Sequence, residues 1–128
     1  MSRKIFLTIV ACVALLIGCF ALVVPSVLIE QVKYAAPSPT ADVMARTVGV
    51  LLISFGVLNF LVRNHSDSPT MKSILIANAL LQIGIMPIDP YAYYTGVFGD
   101  ISAFVPNTIL HILLFSGFIY YLVKMPKY

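Results

Sequence analysis

Apolar residues run almost unbroken through four stretches of the chain, and polar residues gather between them. The stretches cover about 5–24, 44–62, 70–88 and 104–123. A bilayer core about 30 Å thick is spanned by roughly 20 helical residues. The pattern therefore predicts four membrane-spanning helices. Lipid cannot hydrogen-bond an exposed backbone, so continuous apolar runs fold as helices, whereas a barrel would alternate apolar and polar residues. Arg46 falls near the start of the second span, and Lys72 and Pro87 fall inside the ends of the third. Start signals agree with the spans. Ser38-Pro39 and Ser68-Pro69 each read as an N-cap followed by proline at the first helical position. Pro106 sits in the first turn of the fourth span, and Pro25 ends or kinks the first.

Composition strengthens this reading. The chain has 128 residues, 60% of them apolar and only 10% charged. Its mean hydropathy is +0.98. A soluble domain carries about 25% charge, so this chain lacks the polar surface to cover a globule. The expected fold class is all-α: a single transmembrane domain over residues 1–128, folded as an integral membrane four-helix bundle. Arg3 and Lys4 before an apolar run also describe a secretory signal, and Leu16-Ile17-Gly18-Cys19 resembles a lipobox. The apolar run continues through Phe20–Val24, which favours a retained helix over a processed leader.

Charge sets the orientation. Arg3, Lys4, Arg63, Lys72, Lys124 and Lys127 fall at one side of the spans, and only Lys33 and Arg46 at the other. Six against two places the N- and C-termini in the cytoplasm. The net charge of +3 belongs to these membrane ends. No basic cluster points to nucleic acid, and the lipid bilayer is the expected partner.

Polar side chains inside apolar spans are costly and often functional. Asn107 and His111 are four apart in the fourth span, with Thr108 beside them. Asn78 and Gln82 are four apart in the third, and Asn59 lies near the inner end of the second. At 1.5 Å per residue, His111 and Gln82 both lie roughly 10 Å below the outer edge. They are placed to face each other across the bundle. The pair either orients two helices through one hydrogen bond or lines a path for a small ligand or proton.

The outer segments carry further candidates. Residues 26–36 place Leu28, Val32 and Ala35 on one helical face and Glu30 and Lys33 on another. That suits a short interfacial helix, or a kinked extension of the first span. Residues 89–103 hold Tyr91, Tyr93 and Tyr94, either an aromatic belt or a loop lid over an outward-opening pocket. Arg46 follows Asp42 by four residues, a favourable helical pair, and sits where it would anchor an anion or lipid head at the mouth. Cys12 and Cys19 are about 10.5 Å apart along one helix and cannot bridge. Ala14 with Gly18, and Gly49 with Gly56, permit close helix contact within or between chains. The second and fourth spans also echo each other at an offset of 61, pairing Thr47 with Thr108, Gly56 with Gly117 and Arg63 with Lys124. The echo suggests a repeat of two parallel hairpins.

No phosphate loop, dinucleotide fingerprint, zinc-protease motif or nucleophile elbow is present. No metal site and no cofactor is expected, and the reading leans away from an enzyme. Ala45-Arg46, Gly49 and Gly56, and Arg63-Asn64 closing the second span together resemble the DoxX-like superfamily of small four-helix membrane proteins, in its branch of unknown function. The segment Ala77 to Pro87 has the flavour of that branch's third helix. The resemblance implies a four-helix bundle in the cytoplasmic (inner) membrane of a bacterium. It also implies a partner-binding role, because some members are linked to larger redox complexes. The leading expectation is a non-enzymatic scaffold or accessory subunit, with a membrane-protein partner or a second copy. The alternative is a binder or carrier of a small or lipid-like molecule. Its pocket would be formed by His111, Gln82, Asn78 and Asn107, gated by Arg46 and the tyrosines.

Overall fold

The computed structural model describes residues 1–126. Lys127, one of the six basic residues assigned to the cytoplasmic side, lies outside them. Among the described residues the only regular elements are helical, in the order α1 (Arg3–Val23), α2 (Pro25–Val27), a π-helical turn (Leu28–Val32), α3 (Pro39–Val62), α4 (Pro69–Ile85), α5 (Ile88–Tyr94), a 3-10 turn (Ile101–Ala103) and α6 (Val105–Lys124). Four helical stretches are long and apolar enough to cross a membrane: Arg3–Val23, Pro39–Val62, Pro69–Tyr94 and Ile101–Lys124. Their outer faces are apolar, with Leu16, Leu61 and Val123 among the most exposed side chains.

The boundaries follow from local chemistry. Ser38 accepts from Ala41 N at 3.1 Å, and Ser68 from Met71 N at 3.1 Å, with proline opening the helix in both cases. That cap starts α3 at Pro39, ahead of the apolar run that begins near Met44. After Val23 the backbone leaves the helix (Val24 φ −129, ψ 58), because Pro25 has no N–H to continue the ladder. Residues 25–32 then continue past this kink as a short α-helical and a π-helical turn, a kinked extension of α1 rather than a free interfacial helix. They fold back over the bundle end, burying Pro25 and Ile29. The third span ends at Ile85, and a turn at Met86-Pro87 leads into α5. The segment read as a tyrosine loop is thus largely helical. Pro87 and Pro90 fall at the N-cap and in the first turn, where a missing N–H is tolerated.

The long helices form two tight pairs, α1 with α3 and α4 with α6. The small residues noted in the sequence make the first pair. A Cβ on Gly49 would lie 2.7 Å from Gly18 O and 2.8 Å from Leu22 N; one on Gly56 would lie 2.8 Å from Leu15 Cγ. The two backbones therefore touch, and the contact is within one chain. Cys12 and Cys19 lie on the exposed face of uninterrupted α1.

The two pairs meet mainly at the end that carries the termini. Phe6, Leu7 and Val10 of α1 pack there with Met71, Leu75 and Ala79 of α4 and with Phe118 and Tyr121 of α6. Phe6 stands edge-on to Phe118 at 5.0 Å, and Gly117 leaves the space its ring fills. Arg3 pairs with Asp67 and donates to His65 O, while Tyr121 Oη donates to Met1 O at 2.7 Å. Both termini and the α3–α4 connection are thereby tied together. Gly56 and Gly117 both face α1, but α1 belongs to the hairpin of Gly56 and not to that of Gly117. The matched glycines of the internal echo thus do unequal work.

Gly49→Ala should push α1 and α3 apart and destabilise the fold by about 1–3 kcal/mol, as overpacking does. Gly84→Ala, at a position with nothing within 4 Å, should be neutral or slightly stabilising. Thermal unfolding of the two variants in one detergent checks the contrast.

Candidate functional site

Away from the terminal end the two helix pairs diverge and enclose a cavity of about 520 Å³. That volume lies within the range of small-molecule sites, about 300–1,000 Å³. Its walls are mostly apolar, including Ile17, Phe20, Leu52, Phe55, Leu110 and Leu114. Polar groups lie along it in three tiers. Asn59 and Asn78 form the tier nearest the termini, Gln82 and His111 the middle one, and Lys33, Asp89 and Asn107 the far one.

In the first tier, Asn59 Nδ2 donates to Asn78 Oδ1 at 2.9 Å and to Phe55 O at 2.9 Å. Asn78 Nδ2 donates to Ile74 O at 2.9 Å. Both residues are buried, at 1% and 2% exposure. Asn59 Oδ1 is buried without a hydrogen-bond partner. In the middle tier, His111 Nδ1 lies 2.6 Å from Gln82 Oε1. An amide oxygen only accepts, so Nδ1 carries the proton in this bond. Gln82 is buried and His111 half-buried. Thr108 Oγ1, beside them on α6, is buried and unpartnered.

The far tier closes the cavity. Lys33 Nζ meets Asp89 Oδ2 at 2.5 Å and donates to Ala103 O at 3.1 Å. Asn107 Nδ2 donates to the same carboxylate oxygen at 2.8 Å. Lys33 also lies over the Phe98 ring, 5.0 Å from its centroid. Leu28 and Val32 cover the cavity from the same segment as Lys33. Just outside, Asp100 accepts from Ser102 Oγ at 2.6 Å and Ser102 N at 2.7 Å. These two bonds, the hydroxyl's first, hold its carboxyl below the usual carboxylate range.

Of the residues singled out in the sequence, His111, Gln82, Asn78 and Asn107 line this one cavity. Arg46 does not. It is exposed and donates to Leu22 O at 2.5 Å, capping the end of α1, and no Asp42–Arg46 ion pair forms among the described residues. Pro25 explains the choice: the break after α1 leaves carbonyls open, and the guanidinium takes one. The tyrosines do not cover the cavity either. Tyr91 and Tyr94 are exposed on α5, and Tyr93 packs on Phe104 at 5.2 Å. The cover is instead the Lys33 segment with Asp89 and Ala103. Lys33 was assigned to a solvated face by its periodicity, and only its opposite charge to Asp89 at the same bundle end hinted at this bond. Asn59 had a plainer signal, an amide in an apolar run that needs a partner.

A family model described as a domain of unknown function (DUF4345) matches residues 2–85. No curated protein and no solved structure matches the chain.

Replacing either member of the Lys33–Asp89 pair leaves a half-buried charge alone. Lys33→Met and Asp89→Leu should each destabilise the far end, and the double variant should recover part of the loss. A coupling of about 0.5–3 kcal/mol in a double-mutant cycle is expected. Hydrogen exchange should quicken in 25–33 and 101–104 of the single variants while the Phe6–Phe118 end stays protected.

Proposed function

We propose that this chain, which belongs to the DUF4345 family, is a multi-pass inner-membrane protein that binds or carries a small or lipid-like molecule in its cavity. One observation carries the reading. A mostly apolar chamber is lined by the buried side chains Asn59, Asn78 and Gln82 and by half-buried His111. Pure packing would fill such a space with side chains, since interiors are close-packed. The α3–α4 side offers access from lipid. These helices meet at the Asn59–Asn78 bond and do not otherwise pack along their length. The scaffold reading needs small-residue faces turned outward, and Gly18, Gly49 and Gly56 are used inside the chain. The likeness to the DoxX-like superfamily is compatible with either role.

For orientation we place both termini in the cytoplasm. Arg3, Lys4, Arg63, Lys72 and Lys124 gather at the terminal end. At the opposite end Lys33 is neutralised by Asp89 and Arg46 is bound to a helix carbonyl. Positive charge on the cytoplasmic side gives this orientation.

Native mass spectrometry of the protein released from mild detergent should show a retained small-molecule mass. His111→Leu should weaken retention, and Leu52→Trp, which fills the chamber, should abolish it. Bare protein in all three samples, or one adduct common to all, would count against the cavity. For topology, single cysteines at Ser66 and at Thr95 in a chain lacking Cys12 and Cys19 should label from opposite sides of the membrane, with Thr95 reacting from outside. The reverse pattern would invert the assignment.

A further inference from the structure

The chamber has a floor to which all four long helices contribute. Followed toward the terminal end, its lining stops at Val10 on α1, Asn59 on α3, Asn78 on α4 and Leu114 on α6. One turn further along three of these helices stand Leu7, Leu75 and Phe118, and none of them lines the chamber. All three are completely buried. Packing of this kind leaves no slack, and forcing extra methylenes into it is costly. The amides at the floor are also held in place. Asn59 and Asn78 are bonded to each other, Asn59 to Phe55 O and Asn78 to Ile74 O.

Length and width follow from the walls. From Val10 to Ala21 on α1, and from Val48 to Asn59 on α3, the lining rises about 16 Å. A volume of about 520 Å³ over that length gives a mean cross-section of roughly 30 Å². Such a slot holds one extended hydrocarbon chain. Above Asn59 every lining residue of α1 and α3 is apolar, Ile17, Phe20, Leu52 and Phe55 being the largest.

Bonding capacity remains at the other end. Lys33 has three N–H groups and gives two among the described residues, to Asp89 and to Ala103 O. Asp89 takes its bonds from Lys33 and Asn107 on one oxygen, Oδ2. A cation, a carboxylate and an amide side by side can meet a head group that is charged or neutral. A polar head loses least where such partners stand, and an alkyl chain loses nothing along the α1–α3 wall.

Resting on the binding reading above, we infer that the occupant is a single-chain amphiphile with its head in the far tier, among Lys33, Asp89 and Asn107, and its chain along the α1–α3 wall. The floor of Val10, Asn59, Asn78 and Leu114 then limits the length of chain the protein accepts.

Competition binding on protein held in amphipol tests this. Radiolabelled dodecanoate and 1-dodecanol are both offered, and the tighter binder serves as tracer. Unlabelled octyl, dodecyl, hexadecyl and eicosyl compounds with the same head compete. Affinity should rise from octyl to dodecyl, and hexadecyl should compete about tenfold worse than dodecyl, a gap of about 1.4 kcal/mol. Ala14→Leu, which raises the floor, should move the optimum toward octyl. Leu114→Ala, which lowers it, should move the optimum toward hexadecyl. Affinity that climbs unbroken through eicosyl in wild type, or an optimum unmoved in both variants, overturns the length limit and leaves the binding reading standing. Orientation is read by photocrosslinking with dodecyl tracers and fragment mass spectrometry. A diazirine on the terminal carbon should mark residues 10–14 or 114, and one beside the head should mark 33 or 102–107. The reverse pattern overturns the orientation. Tracer binding that is absent for both heads, or unaltered by Leu52→Trp, overturns the binding reading and this inference with it. If Ala14→Leu does not fold, the wild-type series and Leu114→Ala decide.

Discussion

The contact between the backbones of α1 and α3 is the constraint from which the rest of the architecture follows. At Gly18 and Gly49 there is no room for even one added methyl group. Two helices pressed this closely act as a single rigid plate, and α4 with α6 forms a second. Plates joined all along their faces would leave no chamber. Here Phe6, set into the space left by Gly117, joins them at the end near the termini. Large side chains concentrate at that end: Phe6, Leu7, Met71, Leu75 and Phe118 are almost fully buried. Toward the other end the same plates separate, and the wedge between them is the cavity.

Polar pairing controls how far the wedge opens. Two of the tiers tie elements that the apolar core does not hold together, and the middle one lies within the α4–α6 pair. Asn59–Asn78 bridges α3 to α4, Gln82–His111 bridges α4 to α6, and Lys33–Asp89 bridges the segment after α1 to α5. In surroundings of low dielectric such bonds are strong when made and costly when broken. Interhelical hydrogen bonds of this kind average only about 0.6 kcal/mol in measured membrane cases, so they tune the geometry rather than drive the fold. The apolar end supplies the stability, and the polar tiers give the chamber its shape.

Much of this was legible in the sequence, and what was not has a physical cause. The four long helices follow from span length, and their starts from Ser38-Pro39 and Ser68-Pro69. The meeting of Gln82 and His111 follows from depth alone, because two helices crossing one slab place equal depths side by side. Periodicity failed where the chain leaves regular helix. Lys33 follows a π-helical turn, so counting positions at 3.6 residues per turn put it on the wrong face. Arg46 was matched to Asp42 by helical spacing, yet a carbonyl freed by Pro25 on another helix was the stronger claim. Tyr91 and Tyr94 were read as part of an aromatic belt or a loop lid, with no helix expected there. Two prolines placed at a helix start favour a helix instead.

The tiers also bear on the choice between a binding chamber and a conduit, which the proposed reading makes in favour of the chamber. A proton or ion path across the bundle would need polar groups, or water between them, from one end to the other. The sequence of Asp89, Asn107, His111, Gln82, Asn78 and Asn59 looks like the start of one. It stops at Asn59. Between that side chain and the terminal end lies the buried apolar cluster of Phe6, Leu7, Val10, Met71, Leu75 and Phe118. Of that cluster only Val10 lines the cavity; Phe6, Leu7, Met71, Leu75 and Phe118 do not. The chamber is therefore blind at its inner end. A largely apolar slot, blind at one end, suits the proposed binding role: a molecule enters, stays and leaves by the way it came.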